Sequence, residues 1–181
     1  YKKALPLLIN GLEKLEYRGY DSAGIAVINP ESKDIICNKA EGKLKNLINN
    51  ISNTNITGTV GIAHTRWATH GKPEVKNAHP HIDSSGKVAV VQNGIIENYQ
   101  ELKSKLEKEG IVFNSDTDTE VIPHLIQKEL IALKQLNLEN NGSTLLVALR
   151  NVISDLEGSY ALAVLWAGAP DSLVVARRQA P

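Results

Sequence analysis

Three observations predict a layered fold of mixed helices and strands, α/β or α+β. Helical and strand-like apolar spacings both occur, they follow one another in mixed order instead of strict alternation, and short turn-rich connections join neighbouring strands as antiparallel hairpins. With 181 residues, 42% of them hydrophobic, the chain has the length for one domain over 1–181 with a substantial core.

Taken in order, Leu5, Leu8, Leu12 and Leu15 recur three and four apart. They predict a helix that ends before Arg18-Gly19 and packs this face on a sheet. Residues 24–28 and 34–39 are short β-type runs around Asn29-Pro30-Glu31-Ser32, a hairpin turn by composition. Residues 43–51 read as an amphipathic helix, and 59–63 and 87–91 as buried strands, the second running into Asn93-Gly94. Asn98-x-x-Glu101 and Thr117-x-x-Glu120 resemble capping boxes. They predict helices over 99–109, with Leu102 and Leu106 inward, and from the second box to about Lys134, where Pro123 kinks the helix or moves its start. After a polar loop at 137–143, residues 144–156 form a further helix, stopped near Gly158. Residues 160–166 and 173–176 are strands joined by the turn Gly168-Ala169-Pro170-Asp171.

Composition narrows the function classes. Twenty basic and 20 acidic side chains give zero formal net charge, and no field to hold a nucleic-acid backbone or an anionic membrane. The longest apolar runs, such as 161–167, fall far short of the roughly 18 residues that span a bilayer, and no signal peptide opens the chain, so a soluble, cytoplasmic protein is expected. The single cysteine, Cys37, allows no internal disulfide and lies in an alternating strand with no base nearby, which suits a structural thiol in a reducing compartment. There is no methionine, and the chain opens directly into a helical pattern, which suggests a fragment of a longer protein.

The chemistry-bearing residues concentrate in a few loops. His64-Thr65-Arg66-Trp67-Ala68-Thr69-His70-Gly71 follows a strand and combines charged, aromatic and hydroxyl groups, either as a surface loop anchored by Trp67 or as part of a site. Four of the five histidines fall between His64 and His81, and His79-x-His81 on a strand, with Asp83, would suit a zinc hydrolase. Asn93-Gly94 is first a turn signal, and alternatively a pair of donors, a side-chain amide and a free backbone N–H, able to hold an oxyanion. Asp118 is either a helix-start acid or the partner of a substrate ammonium group. Ser22 lacks the preceding glycine that a nucleophile elbow needs.

Five segments act together. They are Leu15-Glu16-Tyr17-Arg18-Gly19-Tyr20-Asp21-Ser22-Ala23-Gly24, residues 61–71, Asn77-Ala78-His79-Pro80-His81, Asn93-Gly94-Ile95-Ile96-Glu97-Asn98 and Ser115-Asp116-Thr117-Asp118-Thr119-Glu120. In order and spacing they resemble the glutaminase domains of the glucosamine-6-phosphate synthase family, the isomerizing glutamine:fructose-6-phosphate aminotransferases. Other class II glutamine amidotransferases, such as amidophosphoribosyltransferase, share the fold but differ around Arg18 and Arg66.

The resemblance implies an αββα sandwich of the N-terminal-nucleophile hydrolase type, and L-glutamine as ligand. Arg66 would grip its α-carboxylate, Asp118 its α-ammonium, and Trp67, Thr69 and His70 would belong to a loop closing over it. Asn93 and the Gly94 N–H would form the oxyanion hole, and His79 and His81 would be structural, which removes the zinc reading. No cofactor is implied. Gln92 stands where many relatives carry His, a departure expected to matter little. In the family the nucleophile is an N-terminal cysteine on a strand preceding the first helix. The 181-residue chain starts inside that helix and stops before the rest of the glutaminase domain. It is therefore expected to lack glutaminase activity, with Cys37 in the wrong segment to substitute. Fructose 6-phosphate would be met only through isomerase domains outside this chain, in a parent that is a homo-oligomer. A glutamine-binding module without chemistry is the competing reading.

Overall fold

Alternation along the strands decides the layering. The computed structural model describes residues 2–67 and 72–180. In β1 (Ser22–Ile28), Ile25 and Val27 point into a cluster with α1 (Ala4–Leu15) and α2 (Leu44–Ile51), while Ala26 and Ile28 point the other way, at a second sheet. β1 pairs antiparallel with β2 (Ile35–Glu41) and β3 (Gly61–Arg66), in the order β2-β1-β3.

The second sheet follows the same rule. It runs β4 (His81–Ile82), β5 (Val88–Ile96), β6 (Gly158–Trp166), β7 (Val174–Arg178), all antiparallel. Val88, Val90, Leu162 and Val164 face α3 (Tyr99–Lys108), α4 (Val121–Gln135) and α5 (Gly142–Asp155) across the largest core cluster. Ala89, Val91 and Leu165 face the first sheet, meeting Ala26, Ile28 and Ile62. The result is helix, sheet, sheet, helix: the four-layer αββα sandwich, with the two sheets meeting face to face through apolar side chains, as sheets stacked about 10 Å apart do. Among the described residues no helix is long and apolar enough to cross a membrane.

Several local expectations change. Leu15 is half exposed because the helix tightens into a 3-10 turn at Glu16–Arg18 and carries that position away from the sheet. Asn93-Gly94 is not a turn: β5 runs through it to Ile96, pairing Asn93 with Ala161 and Gly94 with Tyr160. Neither capping box caps. Asn98 instead ties the start of α3 to the end of α5, donating to Asp155 O at 2.8 Å and accepting from Glu157 N–H at 3.1 Å. After Thr117 comes a 3-10 turn, Asp118–Glu120, and α4 starts only at Val121. Pro123 then sits in the first turn, where its missing N–H costs nothing. The helix predicted from Thr144 begins at Gly142, because Asn141 accepts the Thr144 N–H at 3.0 Å as a true N-cap.

Candidate active site

β3 and β5 belong to different sheets, and their ends open onto one cavity of about 330 Å³. Arg66, the last residue of β3, and Trp67 line it from one side; Asn93 and Gly94 of β5, and Asp118, line it from the other. Five of the seven residues predicted for the site therefore surround one space. The other two, Thr69 and His70, lie outside the described residues.

The Arg66 guanidinium is buried, at 6% exposure, and Nη1 donates to Lys72 O at 3.4 Å and lies 4.0 Å from Asp21 Oδ1. A buried cation needs such partners to repay its desolvation. Asp118 accepts the Ile96 N–H at 2.7 Å through Oδ2, so the end of β5 itself anchors the acid. Gly94 has φ of +124°, and a Cβ there would fall 2.1 Å from Ser159 O on β6. Only glycine allows the strand this twist beside its partner, which turns the backbone at the cavity wall. Trp67 stands at the rim, 59% exposed, with its ring edge-on to Tyr20 at 5.3 Å.

The histidines form the cavity's inner wall and its backing. His64 and His79 line the cavity and stack at 4.5 Å, and His81 meets His79 edge-on at 4.8 Å. Gln92 N–H donates to His79 Nδ1 at 3.2 Å, which leaves the His79 proton on Nε2, facing Thr119 Oγ1 at 3.5 Å. The Thr119 hydroxyl in turn donates to Gln92 Oε1. Gln92 is thus a buried member of the wall, a role its position beside Asn93 did not announce. Burial, with the Arg66 charge, pushes the His64 pKa down to about 4; burial, with Lys39, pushes His81 down to about 3; burial takes His79 well below the ordinary value. All three rings are neutral at pH 7. Gly24 on β1 allows this packing, since a Cβ there would lie 2.2 Å from His79 O.

A zinc centre does not fit these groups. Only His81 of the pair lies on a strand, and its Nε2 is engaged with Thr117 Oγ1 at 2.9 Å. Asp83 spends its carboxylate on the Lys87 and Val88 N–H groups and on Ser85. Among the described residues no group of three or more His, Cys, Asp or Glu is placed to hold a metal.

The sequence profile of the Glutamine amidotransferase domain family matches residues 64–180, which include all the site residues named above from His64 to Glu120. The chain belongs to this family. It is 54% identical over 98% of its residues to a glutamine–fructose-6-phosphate aminotransferase (isomerizing) of Thermosynechococcus vestitus, and 54% identical over 98% to that of Methanosarcina acetivorans. It spans only 27% and 28% of the length of those two relatives. Among solved structures, the glutamine phosphoribosylpyrophosphate amidotransferase of B. subtilis superposes with a TM-score of 0.72 at 27% identity, covering 92% of this chain and 34% of that one. A structure described as the allosteric regulatory enzyme of purine biosynthesis gives 0.75 at 27%, covering 95% and 34%. The amidotransferase fold here is the αββα sandwich of the N-terminal-nucleophile hydrolases, as the resemblance implied.

Cys37, on β2, is not among the residues lining the cavity, and burial pushes its thiol up to about 11, which keeps it protonated and a poor nucleophile. Arg18, to which the residue-by-residue reading gave no role, and Thr117, which it read only as a helix cap, do line it. Both sit inside the segments that carried the resemblance, and that was the available signal.

Proposed function

We propose that the cavity binds L-glutamine and that the chain is the glutaminase part of an isomerizing glutamine:fructose-6-phosphate aminotransferase. Arg66 takes the α-carboxylate through its two-pronged guanidinium, and Asp118 takes the α-ammonium. The Asn93 amide and the Gly94 N–H receive the negative charge that grows on the side-chain carbonyl oxygen during attack, a contribution of about 2.7–4 kcal/mol per donor in comparable acyl transfers. Trp67, with Thr69 and His70, closes over the ligand. In the parent reaction a cysteine thiolate adds to the amide carbon, ammonia leaves, and water hydrolyses the resulting thioester to glutamate. The ammonia passes to fructose 6-phosphate, giving glucosamine 6-phosphate. We place the chain as one glutaminase domain of a cytoplasmic, homo-oligomeric parent.

One observation carries this reading: a buried guanidinium and a carboxylate line the same cavity as an Asn-Gly pair, in a member of the amidotransferase family. The position of Cys37 away from the cavity favours, as a second reading, glutamine binding without chemistry by this chain. Arg66→Ala tests the site. Calorimetry should show the glutamine Kd rising by on the order of 10–100-fold, the value of one charged hydrogen-bonded contact at about 1.5–3 kcal/mol. A change below about threefold would remove Arg66 from the ligand. Cys37→Ser should leave glutamine binding unaltered in the same assay.

A further inference from the structure

Asp118 does not stand on a long element. It opens a three-residue 3-10 turn, and the stretch from 111 to 117 before it has no helix or strand of its own. A carboxylate meant to meet an ammonium group must be held to within a few tenths of an ångström, and the Ile96 N–H fixes one oxygen only, so the backbone that carries it needs support of its own.

A line of buried side chains behind the cavity supplies that support. Glu120, 2% exposed, accepts the Asn114 N–H at 2.8 Å, the Ser115 N–H at 2.6 Å and the Ser115 hydroxyl at 2.6 Å. An ionised carboxylate can only accept, so the Ser115 proton is committed to it. The Ser115 oxygen is then left to accept, and it receives the Thr117 N–H at 3.3 Å and the Thr117 hydroxyl at 3.0 Å. Thr117 Oγ1 accepts in its turn from His81 Nε2 at 2.9 Å. One negative charge therefore sets the direction of every proton from His81 inward. The segment has a second tie on its outer side, in which Asp116 N–H donates to Asn77 Oδ1 at 2.9 Å and the Asp116 carboxylate accepts from Asn77 Nδ2 at 3.3 Å and pairs with Lys76 at 2.9 Å.

We infer that Glu120 is a positioning residue for Asp118: through Ser115, Thr117 and His81 it fixes the 114–120 segment in one arrangement, and so lets the site tell a ligand that carries an α-ammonium group from one that lacks it. The inference rests on the glutamine reading above, which supplies the ammonium. Neither Glu120 nor Ser115 lines the cavity, whereas Thr117 and Asp118 do, so any effect on the ligand must pass through those two, and of them only Asp118 carries the charge that an α-ammonium group would feel.

The test compares two ligands that differ only at that group. L-glutamate carries the α-ammonium, glutarate does not, and neither has an amide bond to lose. Calorimetry on the full chain should show glutamate bound at least about tenfold more tightly than glutarate, and Asp118→Asn should abolish the preference. Ser115→Ala and Glu120→Gln should each cut the preference at least about threefold while the glutarate Kd stays within about twofold of wild type. If Glu120→Gln does not fold, Ser115→Ala decides, since it removes one hydroxyl and leaves the charge. Retention of the full preference in Ser115→Ala overturns the inference, and so does an equal weakening of both ligands, which marks the chain of bonds as general support. A wild-type protein with no preference, or one that Asp118→Asn leaves intact, overturns the glutamine reading instead and is distinguishable from either result.

Discussion

Three imidazoles packed ring against ring cannot all be charged, and the structure resolves this by keeping them neutral and dry. His64 is held at about 4 and His81 at about 3, first by burial and then by the cations nearby, and His79 lies well below its usual value. In the unfolded chain each would titrate near 6.5. Between pH 6.5 and 4 the unfolded chain therefore binds protons that the native chain refuses, and acidification favours unfolding. Stability is fully present above pH 6.5 and falls on the way down, by up to about 1.4 kcal/mol per pH unit for each imidazole. Glu120 contributes in a lower window. Burial alone would raise its pKa, but His124 at 3.9 Å and the donors at Asn114 and Ser115 hold it at about 2, so its share is present above 4.5 and is lost toward 2. Urea unfolding at pH 7, 6 and 5 should show the midpoint dropping steadily, before carboxylates take part, and His64→Gln should flatten the slope. A profile level from pH 7 to 5 would mean the rings are not buried as described.

At the scale of the element, motif and use can part company. The spacing of Asn98 and Glu101 reads as a capping box, yet the Asn98 amide spans from α3 to the end of α5, using its nitrogen and its oxygen on different partners. Asn141 does the opposite: it reads as loop and acts as a cap. The two respond differently to the same substitution. A cap needs only an acceptor, and Asp serves as well as Asn, so Asn141→Asp should leave the melting temperature in place. Asn98→Asp keeps the acceptor but loses the donor to Asp155 O, and should cost about 1 kcal/mol. Equal effects at the two positions would show that Asn98 is a cap after all. The same division explains what could be read beforehand. Two helices, α3 and α4, were placed by capping boxes that do not cap, whereas apolar spacing located α1, α2 and the principal strands, because it reports which face is buried. It misplaced the Asn93-Gly94 turn, because what keeps β5 extended there is pairing with Ala161 and Tyr160, more than 60 residues away in sequence. The convergence of Arg66 with Asp118 was legible only through the resemblance of whole segments. The Glu120 chain was hidden behind a second false capping box, whose glutamate turns to Ser115 and not to Thr117.

On the scale of the whole molecule, the site depends on the spacing between sheets. Arg66 comes from one sheet, Asn93 and Gly94 from the other, and the layer between them is thin: Ala26, Ile28 and Ile62 against Ala89, Val91 and Leu165. Leu165 is fully buried there, on β6, four residues from the partner of Asn93, or about 13 Å along the strand. Leu149 is as deeply buried, at 1% exposure, but lies in the layer between the second sheet and its helices. Truncating either to alanine removes the same atoms and should cost about 2–5 kcal/mol, depending on how far the surroundings collapse. Collapse into the space vacated by the Leu165 side chain would draw the sheets together or shear them, and would move the guanidinium relative to the Asn-Gly pair. Collapse into the space vacated by Leu149 would shift α5 on the outer face and leave the two walls of the cavity in register. Leu165→Ala should therefore weaken glutamine binding by several-fold in protein that is still folded, while Leu149→Ala lowers the melting temperature by a similar amount and leaves the Kd unchanged. Calorimetry below both melting transitions separates the two, and a Kd that follows stability alone, whichever layer is cut, would show that the two walls are not independent parts held by the middle layer.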